Sequence, residues 1–220
     1  MQNLAVFALP ARVRTIAARM STLSTSLTDA FNASGLVPSV VAKTPQKLLQ
    51  VSYGGKSVAL GNELTTDDVA NAPTEISFDA DSKKLYTVLL TDPDAPSREN
   101  PQYGPWRHFV RVNANGTELN TSGDVITPYI GAKPPSDTGF HRYVWLAYEQ
   151  RNGTINPPEV IDFPARRNWQ LNEWLAENGL EGPVAGNFFE ARNDTDRTNN
   201  VGTSSLKMAL LATVVAITHL

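Results

Sequence analysis

The chain has 220 residues, 41% of them apolar, with 19 Lys and Arg against 22 Asp and Glu for a formal charge of −3. That length and apolar content suit one domain with a sizeable core, and a small negative charge without a Lys/Arg cluster argues against nucleic acid as a partner. Cysteine is absent, which excludes disulfides, a thiolate nucleophile and a Cys-based zinc site, the usual state of an intracellular protein.

Residues 1–22 read as an extension. Arg12, Arg14 and Arg19 precede the first acidic residue, Asp29, in an Ala-rich stretch broken by Pro10. That is the composition of a mitochondrial presequence. The alternative is an extension ahead of Met20 as the working start, with Met20-Ser21-Thr22-Leu23 opening the domain. Residues 24–32 predict a helix, with Gly35 beyond it as a stop. Leu48–Val51 and Ser57–Leu60 flank Tyr53-Gly54-Gly55 as a hairpin. Lys84–Thr91 is a short apolar run with β-branched content, a buried strand that delivers Asp92 at its exit. Phe109–Asn113 alternates apolar and polar, and Asn115-Gly116 signals a hairpin. Arg142–Tyr148 is another core strand, closed by Asn152-Gly153. Asn168–Asn178 predicts a second helix with Leu171, Trp174 and Leu175 on one face and Gly179 ending it. Many strands and few helices over residues 23–192 predict a mainly β domain, antiparallel, with a large central sheet and short peripheral helices.

Residues 193–220 form a second tail. A polar spacer, Asn193–Ser205, precedes an apolar run, Met208–Leu220. The run is shorter than the ~20 residues that span a bilayer. A small-residue site, a polar spacer and a short apolar end predict membrane attachment through a glycolipid anchor; the alternatives are a terminal helix packed on the core or an interfacial segment. The core domain reads as cytoplasmic, with the cell surface or the mitochondrion as the locations its two tails offer.

The chain has three histidines, and two of them, His108 and His141, each precede an apolar strand. Asp92 and Asp94 lie in a turn that Pro93 and Pro96 stiffen by fixing φ and removing N–H donors. Converging, these groups make a small polar pocket that can hold a phosphate-like anion. Asp92 would favour the protonated imidazoles, and a protonated pair donates to phosphate oxygens. Read singly, the aspartates can cap their own turn, the histidines can be structural, and Tyr103 and Trp106 can serve rim or core. Asp92, His108 and His141 are also the residue types of a two-His-one-carboxylate metal site, and Ser97 is a hydroxyl beside them. No HxD or HxxxH spacing and no GxSxG elbow is present. The reading is therefore a binding protein without catalytic residues, metal or cofactor. Arg142, next to His141 in a strand, faces the opposite side of the sheet as an ion-pair partner, and Arg98 braces the turn.

Thr91–Arg98, Trp106–Val110 and Gly131–Pro135 with Gly139–Val144 closely resemble the phosphatidylethanolamine-binding protein family, which includes Raf kinase inhibitor proteins and fungal carboxypeptidase Y inhibitors. The resemblance covers residues 23–192. Arg166-Arg167-Asn168-Trp169 and Ala185–Phe189 resemble the fungal branch more than the animal one. The resemblance implies a β-sandwich with short helices at one end. It implies an anion site with Asp92, His108, His141 and Tyr143, walled by Pro134 and Pro135; beside it, Asp94 is read as a further ligand contact and Tyr103 and Trp106 as the rim. Phe189 stands where animal members carry a tyrosine, which removes a hydroxyl near the pocket. The implied partners are a phospholipid head group or small anion, and a serine carboxypeptidase or another protease or kinase. The start of the domain, Met20, Ser21, Thr22 and Leu23 with neighbours to Thr28, is small, polar and uncharged. It can enter an enzyme cleft without desolvating a charge, so the inhibitory contact is expected there. The alternatives are a phospholipid-binding protein without inhibitory activity and a scaffold whose pocket is vestigial.

Overall fold

A computed structural model of the chain describes residues 27–156, 160, 161, 163, 165–193 and 195. Among them ten strands form: β1 Lys47–Leu48, β2 Gln50–Tyr53, β3 Lys56–Ser57, β4 Asn62–Glu63, β5 Glu75–Ser77, β6 Leu85–Asp92, β7 Trp106–Asn115, β8 Asp124–Thr127, β9 His141–Glu149 and β10 Ala185–Ala191. Helix α1 occupies residues 27–33, and α2 is Leu171–Glu177. The expected inhibitory segment Met20–Leu23 and the tail Met208–Leu220 lie outside the described residues.

The large sheet runs β1-β10-β9-β6-β7-β8, with β4 also on β10, and the small sheet runs β3-β2-β5. The long strands are antiparallel, as expected. The short β1 and β4 both run parallel to β10, so the large sheet is mixed rather than wholly antiparallel.

Strand β9 explains the layering. Tyr143, Trp145 and Ala147 join the apolar cluster that includes Val51, Tyr53 and Ile76 of the small sheet. Val144, Leu146 and Tyr148 point the other way, into the cluster of Leu27, Phe31, Leu171 and Leu175 from the two helices. Both faces of the strand are covered, which is why its sequence reads as a near-continuous apolar run. Each such side chain contributes about 1.5–3 kcal/mol by leaving water.

Several local expectations shift. Gly54 and Gly55 take φ 56° and 92°, the left-handed pair that closes the β2–β3 hairpin tightly. Asn115-Gly116 does not make a two-residue hairpin. The Asn115 side chain accepts from the Thr117 amide at 3.0 Å, an Asx turn that opens a longer connection to β8. Helix α2 begins at Leu171 rather than Asn168, because Asn168 has φ 51°.

Candidate functional site

Antiparallel pairing brings the end of β6 and the starts of β7 and β9 to one end of the large sheet. Asp92 lies opposite Trp106, and Thr91 opposite Val144. Opposed residues share a face, so Asp92 and Trp106 project together, on the side that faces the small sheet. His141 and Tyr143 sit two apart on β9 and share a face.

His108 arrives differently. Leu90 pairs with Phe109 and Thr91 with Arg107, so β7 spends one extra residue where β6 advances by one. His108 is that extra residue, the product of a β-bulge. The bulge lets His108 line the cavity while Phe109 enters the core between the sheets. The ring of His108 stands edge-on to Tyr143, with centroids 5.2 Å apart.

The resulting cavity is about 380 Å³. Asp92, His108, His141 and Tyr143 are among its polar groups, and Tyr103, Trp106, Pro134 and Pro135 line it as well. Asp92 and His141 are 3% and 1% exposed. His141 Nδ1 lies 2.9 Å from Asp92 Oδ2, and its Nε2 lies 3.0 Å from the Thr138 hydroxyl. That hydroxyl donates to the Pro135 carbonyl at 2.7 Å. The other Asp92 oxygen accepts from the Asp94 amide at 2.7 Å. A ligand oxygen therefore competes with Thr138 for His141.

His108 departs from the expected protonated state. Its Nδ1 lies 2.8 Å from the Ile130 carbonyl, which can only accept, so Nδ1 carries the proton. Burial pushes its pKa below the usual histidine value, against the opposing attraction of Asp92. The neutral ring leaves Nε2 as an acceptor. An anion entering the cavity must then bring a proton or take one up. Tyr143 stays a neutral phenol, its pKa raised by burial and by the nearby Asp92 and Asp94.

Asp94 is not at the cavity. It is 1% exposed and accepts from the Arg142 amide and Nε, both at 2.8 Å, and from Arg142 Nη2 at 2.5 Å. Arg98 reaches it at 3.4 Å and also bonds Glu190 at 2.9 Å. Burial pushes this carboxyl up, but the hydrogen bonds and charge of Arg142, with Arg98, outweigh it and hold it below the usual range. Asp94 thus fastens the turn to β9. Its amide donates to Asp92, while its carboxylate is held by Arg142 of β9. Phe189 also lies behind the site, stacked on Tyr143 at 5.0 Å. Ser97 accepts from the Asn100 amide at 3.1 Å and caps the turn. Among the described residues, no group of three or more His, Cys, Asp or Glu is placed to hold a metal ion, and no helix is long and apolar enough to cross a membrane.

The cavity also includes Ala95, Pro96, Ile130, Gly131, Lys133, Phe163 and Arg167, which sequence reasoning did not select. Ala95, Pro96, Gly131 and Lys133 lie within the motifs themselves and were legible by position. Arg167 and Phe163 come from a distant loop; Arg167 lies in the Arg166-Arg167-Asn168-Trp169 segment, but nothing there ties it to the cavity, and nothing local marks Phe163. Gly104 shapes the site without lining it. A Cβ there would stand 2.2 Å from the Pro93 carbonyl oxygen, so only glycine lets this loop lie against the acidic turn.

Comparison with known proteins agrees with this architecture. The family model described as phosphatidylethanolamine-binding protein matches residues 46–189. A putative odorant-binding protein A5 of Drosophila melanogaster is 31% identical over 163 residues, 72% of this chain and 77% of the fly protein. A solution structure of CG7054 is 34% identical, with TM-score 0.58, covering 69% of this chain and 88% of that one. The structure of carboxypeptidase Y inhibitor complexed with its cognate proteinase is 25% identical, with TM-score 0.65, covering 77% of this chain and 96% of the inhibitor. The family model spans more than half of the chain, and this chain belongs to the phosphatidylethanolamine-binding protein family.

Proposed function

We propose that this protein is a binding protein, not an enzyme, whose cavity takes a phosphorylated head group or another small anion. The observation that carries this reading is the convergence of Asp92, His108, His141 and Tyr143 at the base of one cavity of about 380 Å³. His141 donates to the anion once Thr138 yields, Asp92 holds the imidazole in place from behind, and His108 takes up a proton as the negative charge arrives. The bulged strand and the proline-stiffened turn fix these groups before the ligand enters, so little ordering entropy is lost on binding.

A second activity, inhibition of a serine carboxypeptidase, is favoured by the likeness to carboxypeptidase Y inhibitor, a protein solved with its cognate proteinase. Specific interfaces bury about 800 Å² per partner, more than this cavity offers, so that contact is assigned to Met20–Leu23 and neighbouring loops. Attachment to a membrane through 193–220 rests on the sequence of that tail.

The test is thermal protection by phosphorylethanolamine. At a ligand concentration of a hundred times Kd, binding adds about 2.7 kcal/mol, which raises Tm by roughly 5–10 °C in a domain of this size. His141→Ala should remove that protection. A wild-type protein that gains none at millimolar ligand contradicts the reading.

A further inference from the structure

At the mouth of the cavity, the guanidinium carbon of Arg167 lies 4.7 Å from the Tyr103 ring, 5.7 Å from Trp106 and 5.5 Å from Phe163. Trp106 and Phe163 are themselves 5.8 Å apart. Three rings thus hold one planar cation by its faces. Tyr103 and Phe163 are 36% and 58% exposed, an uncommon display of large rings, and here it surrounds a charge. Four other arginines of the domain are committed to ion pairs: Arg98 to Asp94 and Glu190, Arg142 to Asp94, Arg151 to Glu181 and Arg192 to Glu63. Arg167 makes no ion pair and no hydrogen bond with any described residue. Among the described residues its N–H edge has no partner, while its faces are occupied.

Lys133 lines the same cavity and adds a second cation. Among the described residues of the lining the one carboxylate is Asp92, at the base, which is already bonded to His141. The base and the mouth are thus two polar stations joined by apolar walls that include Ala95, Pro96, Ile130 and Pro135.

We propose that Arg167 is a specificity-determining residue that receives a second acidic group of the ligand. The preferred ligand class is then a phosphate monoester that also carries a carboxylate or a second phosphate, rather than one that carries an amine alone. The fork of a guanidinium matches a carboxylate in two parallel hydrogen bonds, and stacking on the rings removes most of the entropy cost of holding it there. This inference rests on the anion-pocket reading and adds the second recognition point.

The test compares O-phospho-serine with phosphorylethanolamine, which differ by one carboxylate, by calorimetric titration of the full chain. The wild type should bind phosphoserine about tenfold more tightly, the equivalent of ~1.4 kcal/mol. Arg167→Gln should bring the ratio of the two affinities near one, and Arg167→Lys, which keeps the charge without the fork, should leave an intermediate ratio. A circular dichroism melt confirms that each variant is folded. A wild-type ratio near one, or a ratio that survives Arg167→Gln, overturns the role of Arg167 while the pocket itself stands. Failure of both ligands to bind the wild type overturns the anion-pocket reading and this inference with it.

Discussion

Replacing Asp94 by Ala separates the fastening of the acidic turn from ligand contact. The carboxylate is 2% exposed and the Arg142 side chain 12% exposed. Removing it takes three hydrogen bonds from Arg142 and leaves that guanidinium with the Ser34 carbonyl. Breaking one partner of a buried pair costs about 3–5 kcal/mol. Arg142 reaches some solvent, so the lower end, ~3 kcal/mol, applies. At roughly 2–4 °C per kcal/mol in a domain of this size, Tm should fall by about 6–12 °C at pH 7, read by circular dichroism. Because the Asp94 carboxyl titrates below its unfolded value, this stabilisation is present above about pH 4 and is lost as pH falls through the folded value. The difference between wild type and variant should shrink accordingly in acid. Phosphorylethanolamine affinity should change by less than about threefold, about 0.65 kcal/mol, since Asp92 and His141 keep their bond. A Tm loss under 2 °C together with a large loss of affinity would refute this assignment and return Asp94 to the ligand site.

Four more outcomes are expected. His108 has its pKa lowered by burial, and an anion raises it. Binding therefore takes up a proton, and phosphorylethanolamine affinity should rise by up to about tenfold per unit as pH falls from ~7 through the histidine range; a flat profile would contradict the neutral His108. In the free protein the same lowered value works in the opposite sense: the stability due to neutral His108 is present above about pH 6.5 and is lost as pH falls toward its folded value. Gly104→Ala sets a Cβ against the Pro93 carbonyl, so stability should drop by about 1–3 kcal/mol and ligand affinity with it, in denaturant melts and titrations. For inhibition, the expected segment reached Thr28, but Leu27 is 2% exposed in the core, so a truncation must stop ahead of it. Deleting residues 1–23 should raise the inhibition constant against a serine carboxypeptidase at least tenfold, about 1.4 kcal/mol, and leave phosphate binding intact.

The long elements of the fold are legible in the sequence because their signals are local. The β6 and β9 runs are apolar on both faces since both faces are covered, and Asp92 and His141 stand at strand ends that hydrophobicity alone delimits. The bulge at His108 is not legible: it depends on the register between β6 and β7, which no single strand encodes. The same is true of Asp94, whose partner Arg142 is far along the chain, although the expectation that Arg142 serves an ion pair agrees with what is seen. Arg167 and Phe163 reach the cavity by tertiary placement of a loop. Two parallel strands of two residues each are too short to leave a periodic pattern, so the mixed character of the sheet had no signature either.

The most direct test of the account is to follow the imidazole resonances during titration with phosphorylethanolamine. Only three histidines are present, His108, His141 and His219, so each signal can be assigned by substitution. The account predicts saturable shifts of His108 and His141, with His108 moving toward its protonated position, and a His219 signal that stays in place. Resonances of His108 and His141 that do not move at saturating ligand would contradict it.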